Sequence, residues 1–153
     1  LNDVTVASYK TKAVDVGNNA KIAAGLSVMQ DIPDNAVVLP GGMPGTKNLE
    51  ACEALMTQVK AFNSNGKYIA AICAAPSILG HRGMLAGKKA CIYPGMEDQL
   101  QESEISTDKV VVADKYVTSR GLGTAIPFAL KIVEVLADKP TADKIAKAIV
   151  YKA

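Results

Sequence analysis

Tyr68-Ile69-Ala70-Ala71-Ile72-Cys73-Ala74-Ala75-Pro76 changes character halfway through. Tyr68 to Ile72 is an almost unbroken apolar run, the pattern of a strand covered on both faces. Pro76 suits the first turn of a helix, where its missing N–H is not needed. Cys73 stands between the two, with the small residues Ala71 and Ala75 two positions to either side. A sharp strand-to-helix turn throws its central side chain outward on a strained backbone and tolerates only small neighbours. This is the arrangement of a nucleophile elbow, G-x-S-x-G in hydrolases of that plan, with alanine here in both glycine positions. The helix start adds partial positive charge and free N–H groups, which would favour a thiolate and hold an anion beside it. The competing reading is an inert buried thiol in an alanine-rich strand.

Working outward, short β-branched runs alternate with longer helical patterns, which predicts a mostly parallel sheet covered by helices. Strands are expected at Val4 to Ala7, Val37 to Leu39, Tyr68 to Ile72, Ala90 to Tyr93 and Val110 to Ala113. Lys12 to Val16 and Lys21 to Ala23 flank Gly17, Asn18 and Asn19 and read as a small edge hairpin. One helix follows Gly45, with Thr46 as N-cap, a stripe through Leu49, Cys52, Leu55, Met56, Val59 and Phe62, and an end at Asn65 and Gly66. A second starts after Cys73, a third runs from about Thr124 to Ala137, and a last one is opened by Pro140 and Thr141. No linker interrupts this pattern, so residues 1–153 read as one domain.

A second glycine-rich stretch lies at the C-terminal end of a predicted strand: Leu39, Pro40, Gly41, Gly42, Met43, Pro44, Gly45. In an open parallel sheet that edge is where ligands bind. Successive glycines let the backbone present N–H groups without obstruction, which makes Gly42 a candidate oxyanion donor facing Cys73. No Gly-Lys-Ser or Gly-Lys-Thr ends the stretch, so it is not a P-loop. Without Cys73 it would read as a plain glycine-rich turn. Gly121-Leu122-Gly123-Thr124 lacks the third glycine of a dinucleotide fingerprint and reads as a tight strand-to-helix turn. Cys52 and Cys91 read as core, and His81 as a surface or helix-end residue too far along its helix to pair directly with the Cys73 thiol.

Composition narrows the chemistry. Among 153 residues, 17 Lys and Arg face 15 Asp and Glu without a basic block, which argues against a nucleic-acid partner. Hydrophobic residues make up 49%, enough for a core without disulfides. The apolar runs fall well short of the roughly 18 residues of a membrane span, and no signal sequence opens the chain, so the default location is the cytoplasm. Three widely spaced cysteines without C-x-x-C and a single histidine make a zinc site or disulfide framework improbable. No cofactor or metal is called for, and one nucleophile is the economical hypothesis.

Three runs together, Val37 to Gly42 with Pro44 and Gly45, Ala70 to Pro76, and Thr118 to Ala125, resemble the ThiJ/PfpI superfamily in its DJ-one branch, in order and spacing along nearly the whole chain. The resemblance implies a flavodoxin-like α/β sandwich, a homodimer, and a reactive cysteine at the elbow that Cys73 matches. Gly42 and Ala74 match backbone N–H donors around that thiol, and Gly41, Tyr93 and Pro94 fall where a substrate pocket is expected. Two departures stand out. The family's cysteine is hydrogen-bonded by a glutamate after its first strand, whereas this sequence opens at Leu1 with what matches the second strand. A strand-helix unit of roughly thirty residues is therefore expected to be missing, supplied by a separate N-terminal fragment or belonging to a longer natural sequence. Tyr93 also stands where some relatives place a histidine. No late histidine with a carboxylate two residues on is present, which rejects glutaminase activity.

The implied function is a cysteine-dependent enzyme, of glyoxalase or deglycase type, acting on small reactive carbonyls or glycated adducts. One alternative is a redox-responsive stress or chaperone protein in which Cys73 is oxidised to sulfinate. Another is a peptidase-like hydrolase of the same superfamily.

Overall fold

The computed structural model describes residues 4–6 and 36–152. Among them, the main sheet is built from β1 (Val4–Val6), β2 (Ala36–Leu39), β3 (Tyr68–Ile72), β6 (Val110–Ala113) and β7 (Tyr116–Ser119), in the spatial order β1-β2-β3-β7-β6. All neighbours are parallel except the β6–β7 edge hairpin. β1 lies directly beside β2, with Thr5 opposite Val37. The expected edge hairpin from Lys12 to Ala23 falls outside the described residues.

Period-two alternation sorts the strand residues into two cores. Val37, Leu39, Ile69, Ala71 and Tyr116 point to one face, under α1 (Gly45–Ala51), α2 (Glu53–Ser64) and α3 (Pro76–Gly80). Val38, Ala70 and Val117 point to the other, against Phe128 and Ile132 of α4 (Ala125–Leu136), which packs on α5 (Lys139–Ala148). The result is a three-layer α/β sandwich with β3 at its centre. Both faces of β3 are covered, which is why its sequence does not alternate.

Several expectations need correction. The stretch Ala90 to Tyr93 is not a strand of the main sheet. Only β4 (Lys89–Ala90) is extended there, and it pairs with β5 (Glu104–Ile105) in a separate two-stranded ribbon. The central strand β7 carries no apolar signal at its end, because Thr118 and Ser119 are buried yet polar. The helix after Gly45 is two helices that meet at Cys52, whose backbone is extended at φ −81°, ψ 97°. No glycine or proline marks the break, although Glu53 in the first turn of α2 favours a new start. Pro44, not Thr46, occupies the N-cap position of α1. Thr46 lies inside the helix and donates to the Gly42 carbonyl from both its N–H, at 2.8 Å, and its hydroxyl, at 3.0 Å. α5 is capped by Asp138, which accepts from the Thr141 N–H at 2.7 Å, with Pro140 in the first turn. Among the described residues, no helix is long and apolar enough to cross a membrane.

Candidate functional site

Cys73 follows the last residue of β3 with φ +64°, a left-handed conformation that L-residues other than Asn and Asp seldom adopt. Two backbone hydrogen bonds enforce it. The Cys73 N–H donates to the Ser119 carbonyl at the end of β7 (3.0 Å), and the Cys73 carbonyl accepts from the Tyr93 N–H (2.9 Å). The side chain is half-buried, whereas Cys52 and Cys91 are buried. Burial pushes the Cys91 thiol up from its ordinary range. Its sulfur lies 3.6 Å from the Thr118 hydroxyl, inside the core.

Gly41 joins the glycine-rich loop to this elbow. A Cβ added there would fall 2.5 Å from Cys73 Cβ, 2.5 Å from the Ile72 carbonyl oxygen and 2.9 Å from the Ala74 nitrogen. Gly41 is therefore a close packing contact between loop and elbow, against the backbone of Ile72 and Ala74. Gly42 has φ +96°, with open space at its Cβ position. Thr46 occupies its carbonyl, while neither the Gly42 nor the Ala74 N–H is spent on a carbonyl of a described residue. The neighbouring donors are already engaged, the Ala75 N–H on the Ile72 carbonyl at 3.1 Å and the Ser77 hydroxyl on the Ala74 carbonyl at 2.7 Å. With α3 only five residues long, its macrodipole is small and these individual N–H groups carry the local electrostatics. No carboxylate or imidazole among the described residues hydrogen-bonds the thiol.

Tyr93, whose N–H reaches the Cys73 carbonyl, and Pro94 are both exposed. The Tyr93 ring borders Gly121, where an added Cβ would sit 3.5 Å from Cδ2. The turn from Gly121 is held by Thr124, whose hydroxyl accepts the Gly121 N–H (3.0 Å) and has its one proton within reach of two acceptors, the Gly121 carbonyl (2.9 Å) and the Ser119 hydroxyl (2.7 Å). Among the described residues, no group of three or more His, Cys, Asp or Glu could hold a metal ion.

The sequence profile of the DJ-1/PfpI family matches residues 2–135. The chain belongs to the DJ-1/PfpI family. It is 38% identical over 157 residues to Protein DJ-1 homolog A of Arabidopsis thaliana, covering 98% of this chain but 40% of that protein, so it spans less than half of this relative's length. Identity is 37% over 142 residues to the Caenorhabditis elegans protein named glutathione-independent glyoxalase DJR-1.2, covering 87% of this chain and 73% of that one. Among solved structures, oxidised Toxoplasma gondii DJ-1 superposes with a TM-score of 0.81 at 39% identity, covering 88% of this chain and 73% of that one. The family's flavodoxin-like α/β fold is the fold of this chain.

A charged cluster behind the site was not legible from motifs. Glu50 Oε1 accepts from Arg82 Nη1 at 2.8 Å and lies 2.9 Å from His81 Nδ1, while His81 Nε2 lies 2.9 Å from Gln99 Oε1. Burial alone would push the Glu50 carboxyl up, but hydrogen bonds from His81 and Arg82 outweigh it and hold the group below its ordinary 4.5. The hydrogen bond to Glu50 raises His81 above 6.5, against an opposing effect of burial and with help from Gln99. A lowered carboxylate contributes stability above its unfolded value and loses it as pH falls through its folded one. A raised histidine contributes below its unfolded value and loses it as pH rises through its folded one. The cluster is thus fully formed between about pH 4.5 and 6.5. Glu50→Gln should lower stability by about 0.5 kcal/mol at pH 5.5 and by less on either side, the pair being partly solvated. Urea midpoints at pH 3.5, 5.5 and 8.5 check this; an equal loss at all three contradicts it.

Proposed function

We propose that this protein is a cysteine-dependent enzyme of glyoxalase or deglycase type, acting on small reactive carbonyls or their glycated adducts. The observation that carries the reading is the left-handed backbone of Cys73 at the end of the central strand, with the Gly42 and Ala74 N–H groups, neither of which bonds a carbonyl among the described residues, as its oxyanion donors. Cys73, having given up its proton to solvent, adds as the thiolate to the aldehyde carbon, and the carbonyl π electrons move to oxygen. The resulting alkoxide is met by these N–H groups until it takes a proton back to give the hemithioacetal. Tyr93 and Pro94 border the entrance. The glyoxalase name of the Caenorhabditis elegans relative supports this substrate class. A homodimer is the assembly the family resemblance implies. Methylglyoxal consumption by the full-length protein, compared with a Cys73→Ser variant, tests the reading; equal rates would sink it.

One observation favours a second reading, a redox-responsive protein. Of the three cysteines only Cys73 is not buried, and N–H donors beside it would accommodate a sulfinate. Mild peroxide, followed by peptide mass mapping, should then add two oxygens at Cys73 and leave Cys52 and Cys91 unmodified. Oxidation that spares Cys73 contradicts it.

A further inference from the structure

The Glu50–His81–Gln99 cluster joins the three segments that surround Cys73. Glu50 lies on α1, whose first turn holds the Gly42 carbonyl through Thr46. His81 closes α3, the short helix that leaves the elbow. Gln99 lies in the 3₁₀ turn Glu97–Leu100, connected back to the site by a relay of backbone hydrogen bonds: Gln99 N–H to the Met96 carbonyl (3.0 Å), Met96 N–H to the Tyr93 carbonyl (3.1 Å), and Tyr93 N–H to the Cys73 carbonyl (2.9 Å). We propose that His81 is a positioning residue for the Cys73 site, a clamp whose imidazolium form fixes the Tyr93 side of that site to the elbow helix. The proposal rests on the reading of Cys73 given above.

The hydrogen-bond chemistry assigns the protons. Gln99 Nε2 donates to Asp98 Oδ2 at 2.7 Å, which turns its amide oxygen to the ring. His81 therefore faces two acceptors, a carboxylate and an amide oxygen, and only the doubly protonated ring satisfies both. On losing one proton the ring keeps the other toward the Glu50 carboxylate, and the hydrogen bond to Gln99 is the one given up. Gln99 cannot flip to donate without abandoning Asp98. The backbone contact survives, since the Gln99 carbonyl is packed on Gly80, where an added Cβ would fall 2.2 Å away. The change is thus confined to the Gln99 side chain and the relay behind it. The charged groups around the ring are Glu50 on α1, Arg82 beside it, Asp98 through Gln99, and Glu53 and Lys60 of α2, which line one groove with Glu50 and Arg82. The structure holds His81 in its charged form to higher pH than a free histidine.

His81 is the only histidine in the sequence, so its ring resonances report it without ambiguity. In the full chain, an NMR titration from pH 5 to 9 should show the amides of Tyr93, Met96 and Gln99 moving with the same midpoint as the imidazole. The ratio of wild-type to His81→Gln kcat for methylglyoxal should fall about threefold, to unity, as pH rises through that midpoint, the worth of one partly solvated hydrogen bond. Gln99→Glu should move the imidazole midpoint and the kinetic inflection upward together. An imidazole that titrates while the Tyr93 and Met96 amides stay still overturns the clamp, as does a ratio independent of pH. Should His81→Gln fail to fold, the wild-type titration alone decides. Should Cys73→Ser retain full turnover, the Cys73 reading fails while coupled amide shifts still establish the clamp.

Discussion

Replacing Cys73 by serine is expected to lower methylglyoxal turnover about a thousandfold, a loss of roughly 4 kcal/mol of transition-state stabilisation, with little change in thermal stability. The substitution leaves the elbow intact: volume is nearly conserved, and the positive φ and both enforcing hydrogen bonds belong to the backbone. What changes is the nucleophile. A thiol ionises far more readily than a hydroxyl, and no imidazole or carboxylate among the described residues hydrogen-bonds this position to activate a serine. The check is a progress curve for methylglyoxal disappearance alongside a melting curve. Wild-type turnover in a folded variant removes the catalytic role.

Gly41→Ala should be the most damaging single methyl group that can be added near the site. It meets Cys73 Cβ and the Ile72 carbonyl oxygen at 2.5 Å and the Ala74 nitrogen at 2.9 Å. Two of these three neighbours are backbone, so no side-chain rotation relieves the clash, and the loop must move away from the elbow. A loss of about 3 kcal/mol is expected, with Tm falling by roughly 6–12 °C and Gly42 carried out of register with Ala74. Two neighbours provide contrast. Gly42→Ala meets nothing within 4 Å but must hold φ +96°, so it should cost about 1–2 kcal/mol through strain alone. Gly45→Ala, open and at the start of α1, should be neutral or slightly stabilising. Melting curves of the three variants give this order; Gly41→Ala melting with the wild type would show that loop and elbow are not packed as described.

The elbow and the glycine-rich loop were legible because both sit at ends of strands whose apolar runs are unbroken, with residues small enough to announce a tight turn. Strand β7 was not, although it lies beside β3 in the centre of the sheet. Its end, Thr118 and Ser119, looks like loop sequence. Yet both are buried, because the Thr118 hydroxyl accepts the Cys91 N–H and the Ser119 hydroxyl donates to the Lys109 carbonyl. The same exchange explains why Ala90 to Tyr93 is not a strand of the main sheet: the Cys91 N–H goes to a side chain instead of a ladder partner. The break at Cys52 has no local marker, and the His81 cluster joins residues 31 and 18 positions apart, beyond the reach of any periodicity. Gly41 could have been singled out, but adjacent glycines do not reveal which of them faces the packing and which faces the ligand.

The central claim is that Cys73, the one half-buried cysteine beside two buried ones, is the nucleophile of this fold, and competitive alkylation tests it most directly. The full-length protein is treated with limiting iodoacetamide at pH 7, with and without methylglyoxal, and labelling of each cysteine is followed by peptide mass spectrometry. Cys73 should react at least about tenfold faster than Cys52 and Cys91, and methylglyoxal should slow Cys73 alone. Equal labelling of the three cysteines, or a Cys73 rate indifferent to methylglyoxal, would contradict the account.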